Sequence, residues 1–218
     1  MTTLLSRLSR WGEDSSILGA IRESDCNLAI WHRPAFADFT AMTTGTPHDL
    51  RFVSNVAGLV AVLARGLRSC GFGGDAALHD ALIVDAARLA RLFCDAMELT
   101  TFELRLEVVR TDSCRKFHAD YVTARLITTY VGEGTDWLDD ADARRVAAGA
   151  EPRQINRLAP FDVGLFKGKI ATPTPAIHRS PPIAETSGGA RLLLVLNPVS
   201  RSLVEPADSP LPPPRHLS

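Results

Sequence analysis

The sequence predicts an α+β fold in which an N-terminal helix hairpin packs on a β-sandwich. A change in the period of the apolar residues supports this prediction. Apolar residues recur every three or four positions over residues 52–67 and again over 78–93, which is the spacing of helices that bury one face. After Thr100 the apolar residues alternate with polar ones, as is typical of half-buried strands.

A glycine-rich turn separates the two helical patterns. Gly71, Gly73 and Gly74 end the first pattern, because glycine readily takes the left-handed backbone that follows a helix. Asp75 is a suitable N-cap for the second helix, which the pattern extends to about Leu99. Amphipathic helices joined by so short a loop are expected to form a hairpin that buries its apolar stripes.

Later segments have the composition or the alternation of strands, and they lie between turn residues. They are residues 102–109, 117–131, 162–168 and 191–197. Upstream, residues 27–31 predict a short strand that ends before Pro34. Residues 139–149 are charged and rich in alanine, which predicts a short helix or a mobile excursion.

These patterns divide the chain into three parts. Residues 1–100 form a mostly helical region that packs on the sheet, and residues 101–200 form the metal-binding β core. Residues 206–218 contain five prolines and are predicted to be a disordered tail.

The composition excludes several classes of partner. A hydrophobic content of 45% and a net charge of −1 are those of a soluble globular protein without general attraction to nucleic acid or anionic membranes. The longest apolar runs are too short to cross a bilayer, and the N-terminus lacks the pattern of a signal peptide. We therefore expect a cytoplasmic protein that binds neither nucleic acid nor membranes.

A histidine and an aspartate two residues apart, His118 and Asp120, begin the segment 117–131. Side chains at i and i+2 of a strand share a face, so both can bind one metal ion. His178, which lies 60 residues after His118, supplies a third ligand. Two imidazoles and one carboxylate form the facial triad that leaves coordination positions of a non-haem iron open.

Cys114 leaves a second interpretation open. A thiolate that joins imidazole and carboxylate ligands suits a tetrahedral zinc ion, and a fourth ligand would fill the open positions. Such a site would indicate a zinc hydrolase or a non-catalytic zinc-binding protein. The alternative is that the Cys114 thiol is an inert residue of the pocket.

From His118 onward, the sequence resembles the iron(II) and 2-oxoglutarate dependent dioxygenases, in particular their prolyl-hydroxylase-like branch. The matching segments are H-x-D at 118–120, R-L-I-T-T-Y at 125–130, G-x-G at 132–134, G-L-F-K-G at 164–168, the distal His178, and Arg191. Most of the chain is also similar to an uncharacterised bacterial family, domain of unknown function 1826. That likeness is carried by C-x-K-F-H-x-D, T-Y-x-G-x-G-T-x-W-L, F-K-G and H-R-S-P, all within residues 114–197.

Together with this resemblance, the strand pattern predicts a double-stranded β-helix, the cupin-like jelly roll, with the metal at one open end. The resemblance implies that the triad binds Fe(II) and forms the catalytic centre, and that Arg191 binds the distal carboxylate of 2-oxoglutarate. It also implies that Tyr130 adds a hydrogen bond to that carboxylate, for which Arg125 is a second candidate. The implied reaction is hydroxylation of a small-molecule or peptide substrate. A cupin-type metal enzyme that does not use oxoglutarate is a further alternative.

Overall fold

The computed structural model describes residues 8–112, 114–183 and 189–199. They form a mixed α+β fold with a large, mostly antiparallel sheet and few helices. Within these ranges, no helix is both long and apolar enough to span a bilayer. The tail predicted to be disordered, residues 206–218, lies outside the described residues.

The elements are numbered in chain order. The strands are β1 (Ser9–Gly12), β2 (Leu28–Trp31), β3 (Leu50–Ser54), β4 (Phe102–Val109), β5 (Ala124–Val131), β6 (Asp136–Trp137), β7 (Asn156–Arg157), β8 (Val163–Lys167), β9 (His178–Arg179) and β10 (Arg191–Pro198). The α-helices are α1 (Leu59–Ser69), α2 (Ala76–Met97) and α3 (Asp140–Ala147), and 3₁₀ helices span Ser15–Arg22 and Thr40–Thr43.

The main sheet has the strand order β1, β2, β8, β5, β10, β4, β3. Strands β1 and β2 run parallel, whereas the other neighbours in this sheet are antiparallel. A smaller sheet has the order β7, β6, β9. An antiparallel bridge between His118 and His178 joins the chain before β5 to the edge of this smaller sheet.

The two faces of the main sheet bury different clusters. Leu192, Leu194 and Leu196 of β10 belong to the large core that also contains the buried residues of α1 and α2. Leu193 and Val195 point to the other face and belong to a smaller cluster. This division follows from the alternation of side chains along a strand, and it separates the helices from the residues of the candidate site.

Helix α2 begins and ends as its sequence predicts. The Asp75 side chain accepts a hydrogen bond of 2.8 Å from the Leu78 amide, which is the expected N-cap interaction. The helix ends at Met97, and the C-cap Glu98 has a left-handed φ of 53°. Of the two alternatives for residues 139–149, the structure has the short helix, α3.

The predicted start of the first helix is wrong. The helical spacing places residues 52 and 56 in that helix, but Leu50–Ser54 is strand β3, and α1 begins at Leu59. Phe52 packs against the large core from strand β3. It would pack against the same core if it lay in the helix, so the spacing of apolar residues does not distinguish the strand from the helix here. At Gly66 of α1, an added Cβ would lie 2.6 Å from Leu50, so the helix packs closely on β3.

Two further differences affect the candidate site. The short strand predicted over residues 27–31 is confirmed as β2, but β1 and β3, which the sequence analysis did not predict, also extend the main sheet. The segment 117–131 becomes a regular strand at Ala124, so Asp120 lies in a loop rather than on a strand.

Candidate metal centre

Backbone pairing brings together the two histidines that the sequence separates by 60 residues. His118 and His178 each donate an amide hydrogen bond of 3.0 Å to the other's carbonyl oxygen. Directly paired residues of antiparallel strands place their side chains next to each other. The two imidazole rings accordingly lie 4.8 Å apart between centroids.

Asp120 completes a group of metal-ligand atoms. One nitrogen or oxygen atom from each of His118, Asp120 and His178 lies within 4.8 Å of the other two. The shortest separations are 3.3 Å from His178 Nε2 to Asp120 Oδ2 and 3.7 Å from His118 Nε2 to Asp120 Oδ1. Ligands at about 2.1 Å from one ion lie at most about 4.2 Å apart, so both contacts to Asp120 already satisfy this limit.

Both imidazoles are oriented by backbone carbonyls. His118 Nδ1 lies 2.9 Å from the Lys116 oxygen, and His178 Nδ1 lies 3.3 Å from the Ala176 oxygen. A carbonyl can only accept a hydrogen, so this arrangement favours the tautomer with hydrogen on Nδ1 and a lone pair on Nε2. Histidines that bind metals are commonly held in this way.

The Asp120 carboxylate is only partly satisfied. Its Oδ1 accepts a hydrogen bond of 2.7 Å from Arg125 Nη1, whereas its Oδ2 is buried without a hydrogen-bond partner among the described residues. His178 Nε2 lies 3.3 Å from Oδ2, but in the tautomer with hydrogen on Nδ1 this nitrogen carries no hydrogen to donate. Burial raises the pKa of Asp120, but His178 and His118, in their protonated forms, and Arg125 outweigh this effect and lower the pKa below its usual value. The group is therefore a carboxylate at neutral pH.

A line of polar side chains fixes Arg125. Its Nε donates a hydrogen bond of 2.7 Å to Asn197 Oδ1, and Asn197 Nδ2 donates one of 3.0 Å to the Glu103 carboxylate. Glu103 also accepts from Arg51 on the edge strand β3. This line crosses four strands and ends at Asp120, so it orients the carboxylate. The sequence analysis did not identify Asn197 and Glu103. Both occupy alternate positions of their strands, β10 and β4, that point to the same face of the sheet as the site.

Arg191 is buried, with 1% of its surface exposed. Its guanidinium donates to the Glu133 carbonyl at 2.7 Å, the Ser180 hydroxyl at 3.1 Å and the Thr129 hydroxyl at 3.3 Å. No carboxylate among the described residues lies within 4.0 Å of it. Burial lowers the pKa of Arg191 to about 10, although the charges of Asp136 and Glu133 partly offset this effect. Arg191 therefore remains a cation at neutral pH, and no described carboxylate is in direct contact with it.

One cavity is lined by Arg191 and both histidines. It has a volume of about 560 Å³, which lies within the range of small-molecule sites. Arg125, Arg191, His118 and His178 line it, together with Cys114 at one side. The histidines, Asp120 and Arg191 that the sequence singled out therefore meet at one place.

The other two candidates are placed differently. Tyr130 lies on the opposite face of the sheet, where its hydroxyl donates 2.6 Å to Asp85 Oδ2. Its assignment to a cofactor carboxylate is therefore corrected, because its strand parity is opposite to that of Arg125. Cys114 is exposed and does not belong to the group of metal-ligand atoms, although it lines the cavity. Arg125 is engaged by Asp120 rather than left available for a cofactor.

The comparisons with known proteins identify a family but not an activity. The model of the family described as "Protein of unknown function (DUF1826)" matches residues 12–197. The chain belongs to this family. No curated protein matches the sequence.

Two solved structures are similar to the DUF1826 chain, each of them weakly. The structure of FeII HppE is 14% identical, with a TM-score of 0.29 over 44% of this chain and 42% of that one. A BsmA homologue from Methylobium petroleophilum PM1 is 19% identical, with a TM-score of 0.32 over 58% of this chain and 54% of that one. The chain thus spans about half the length of these proteins, and likeness at this level carries no argument about function.

Proposed function

We propose that this protein is an oxidoreductase of the Fe(II) and 2-oxoglutarate dependent dioxygenase type, which hydroxylates a substrate. The observation that supports it most is one cavity that combines two kinds of group. The first is the set of ligand atoms from His118, Asp120 and His178, of which the two histidines line the cavity. The second is Arg191, a buried cation without a carboxylate partner among the described residues.

The donor set fits an Fe(II) ion. Asp120 Oδ2 is buried without a hydrogen-bond partner in the described part of the chain, and such an atom is costly unless a cation or a donor satisfies it. An ion between Asp120 and the two Nε2 atoms would remove this cost. Two imidazoles with one carboxylate and further open positions are typical of non-haem iron. When bound, iron and 2-oxoglutarate would supply the oxidising chemistry.

The side chains of this protein would bind and orient the reactants. His118, Asp120 and His178 would hold the ion, and the carbonyls of Lys116 and Ala176 keep the imidazoles in the required tautomer. Arg125 holds Asp120 through Oδ1 and so leaves Oδ2 for the ion.

Arg191 would bind the carboxylate of 2-oxoglutarate that is distant from the metal. Its fork of donors matches a carboxylate in geometry and charge. The hydroxyls of Ser180 and Thr129 would hold the guanidinium in place. Because the arginine is already ordered and desolvated, binding the carboxylate would require little reorganisation.

We also propose that the two sheets form a double-stranded β-helix, the cupin-like jelly roll, with the metal at one open end. The strand order β8, β5, β10, β4 within the main sheet and the opposing strands β7, β6 and β9 support this assignment. The bridge between His118 and His178 extends the smaller sheet towards the site, which places the ligands at the edge between the two sheets.

The alternative is a zinc-binding protein that uses Cys114 as a fourth ligand. The position of Cys114 outside the group of ligand atoms supports an open site over this closed one. The two proposals differ in what they require of the thiol: the zinc site requires Cys114 for affinity, and the oxygenase does not.

The test is an anaerobic titration of metal-free protein with Fe(II) and then with 2-oxoglutarate, followed by visible charge-transfer absorption. We expect a band that requires both additions, that is lost in Asp120→Ala, and whose 2-oxoglutarate dependence weakens at least about tenfold in Arg191→Ala, because a charged hydrogen-bonded pair is removed. His79→Gln is the matched control, since His79 on α2 bonds only the Gly73 carbonyl at 2.9 Å among the described residues.

Two results would contradict the proposal. A band in which Arg191→Ala changes nothing would show that 2-oxoglutarate does not use this arginine. Absence of a band, together with tight zinc binding that Cys114→Ala abolishes, would make the protein a zinc-binding protein.

A further inference from the structure

The cavity beside the metal centre is unusually rich in arginine. The arginines that line it, among the described residues, are Arg105, Arg110, Arg125, Arg179 and Arg191. Most of them are paired with a carboxylate: Arg105 with Glu107, Arg125 with Asp120, and Arg179 with Asp136. For Arg110 and Arg191, no described carboxylate lies within 4.0 Å. The proposed function assigns 2-oxoglutarate to Arg191, so Arg110 remains without an anion.

Arg110 is held at the mouth of the cavity. It follows β4, and its Nη2 donates to the Thr43 carbonyl and, at 3.1 Å, to the Gly45 carbonyl. Its Nε and Nη1 have no acceptor among the described residues. Anchoring through one nitrogen orients the remaining donors of a guanidinium and reduces the entropy lost when an anion binds.

The charges around the cavity leave a positive surplus. The described residues that line the cavity include five arginines but only two carboxylates, Asp49 and Glu107. Asp120 and Asp136, which do not line the cavity, pair with Arg125 and Arg179. Arg110 is the lining guanidinium that neither a described carboxylate within 4.0 Å nor the proposed cosubstrate neutralises.

We propose that Arg110 binds an anionic group of the primary substrate, a carboxylate or a phosphate, at the mouth of the cavity. This inference rests on the proposed function, since it takes Arg191 as occupied by 2-oxoglutarate. Asp49 lies at the same mouth and would repel such a group. The substrate class is therefore a small anion or an acidic chain end rather than a neutral or cationic molecule.

The test follows the Nε–H resonance of each arginine by NMR in the full chain, loaded with zinc as a diamagnetic ion and saturated with 2-oxoglutarate. Inorganic phosphate and acetate are the two anionic probes, and neutral acetamide is their control. We expect phosphate or acetate, but not acetamide, to shift the Arg110 resonance in a saturable manner. Whichever of the two anions binds more tightly identifies the substrate group.

Variants at the mouth should change the affinity in opposite directions. Arg110→Gln should weaken binding of the preferred anion by at least about tenfold, because a charged hydrogen bond is lost. Arg110→Lys should retain part of the affinity, since it keeps the charge but not the planar fork. Asp49→Asn should strengthen binding by removing a repulsive charge. Arg68→Gln, at an exposed position near the end of α1, is the matched control and should change nothing.

The outcomes separate this inference from the proposed function. If 2-oxoglutarate shifts Arg191 but neither anion shifts Arg110, the inference is wrong and the proposed function stands. If phosphate or acetate saturates Arg110 while 2-oxoglutarate leaves Arg191 unchanged, the anion site stands and the proposed function fails. Equal, unsaturable shifts of Arg110 and Arg68 would be screening by salt and would overturn the inference.

Discussion

Each face of the main sheet buries a pair formed by an arginine and an aspartate, but the two pairs are completed differently. On the helix side, Arg33 donates to both oxygens of Asp85, and the Tyr130 hydroxyl adds a third hydrogen bond to this carboxylate. On the site side, Arg125 donates to one oxygen of Asp120, and the other oxygen has no partner among the described residues.

This difference distinguishes charges that stabilise the fold from charges that are kept for a ligand. A buried ion pair repays its desolvation only when its remaining lone pairs are satisfied. The Asp85 carboxylate meets this condition within the protein. The Asp120 carboxylate meets it only if something else occupies the space next to Oδ2, and the neighbouring imidazole nitrogens indicate a cation.

The largest expected effect is on the helix side. Asp85→Ala should lower the free energy of unfolding by about 3–5 kcal/mol, because it leaves the Arg33 charge buried and unpaired. Urea unfolding measures this loss. Asp80→Ala is the control, since Asp80 lies on the same helix and is exposed.

A double replacement tests the reason for that loss. Arg33→Met combined with Asp85→Leu should recover most of the stability, because no unpaired charge remains. If the double variant is as unstable as Asp85→Ala, the loss arises from packing rather than from the buried charge.

Asp120→Asn should produce the opposite pattern. The amide keeps an oxygen for Arg125 Nη1, so the metal-free protein should lose no more than about 1 kcal/mol of stability. The affinity for Fe(II) should fall at least about 100-fold, since the loss of a ligand exceeds the 10–100-fold effects of outer contacts. Metal binding by calorimetry and unfolding of the metal-free protein measure the two quantities. A large loss of stability without loss of metal affinity would reverse the assignment of the two faces.

Tyr130→Phe should have a smaller effect and only on the helix side. Burial, together with the neighbouring Asp85 carboxylate, raises the pKa of Tyr130 well above its usual value, so the hydroxyl remains a donor at neutral pH. Its removal should cost about 1–2 kcal/mol, while the affinity for 2-oxoglutarate stays unchanged. A loss of 2-oxoglutarate affinity in this variant would restore Tyr130 to the cofactor site.

Strand parity explains which site residues the sequence can identify. On β5, Tyr130 shares its parity with Leu126, which packs against the helices, whereas Arg125 shares its parity with Ile127 on the site face. This alternation is visible in the sequence itself, and it is sufficient to exclude Tyr130 from the cofactor site. The family resemblance follows the order of motifs and takes no account of parity.

Long-range pairing cannot be predicted in the same way. The bridge between His118 and His178 depends on how a loop of about 60 residues closes, and local periodicity carries no information on that closure. The satisfaction of a carboxylate by distant residues, such as Asn197 behind Arg125, is equally non-local. The family resemblance predicted the metal ligands and their order along the chain. Only the structure identifies the residues that hydrogen-bond to them.

Replacement of Arg191, on the site face, should change the free energy of unfolding least of all. This buried arginine has neutral hydrogen-bond acceptors, so Arg191→Met removes a desolvated charge together with its hydrogen bonds to three neutral groups. We expect the free energy of unfolding to stay within about 1 kcal/mol of the original, while 2-oxoglutarate affinity is lost.

The direction in which stability changes with pH distinguishes Arg191 from an arginine whose charge stabilises the fold. Burial lowers the pKa of Arg191 to about 10, below that of an unfolded arginine, so above about pH 10 the unfolded chain binds more protons than the folded one. Stability then gains a contribution as pH rises, whereas a stabilising cation would lose one. Other groups, such as Tyr130 in the unfolded chain, also titrate between pH 8 and about pH 11, but they do so alike in all three chains. Relative to Arg191→Met, the original chain and Arg68→Met should therefore gain stability between these two pH values in urea unfolding. A loss of about 3 kcal/mol or more in Arg191→Met at pH 8 would instead place Arg191 with Arg33, as a charge that holds the fold together.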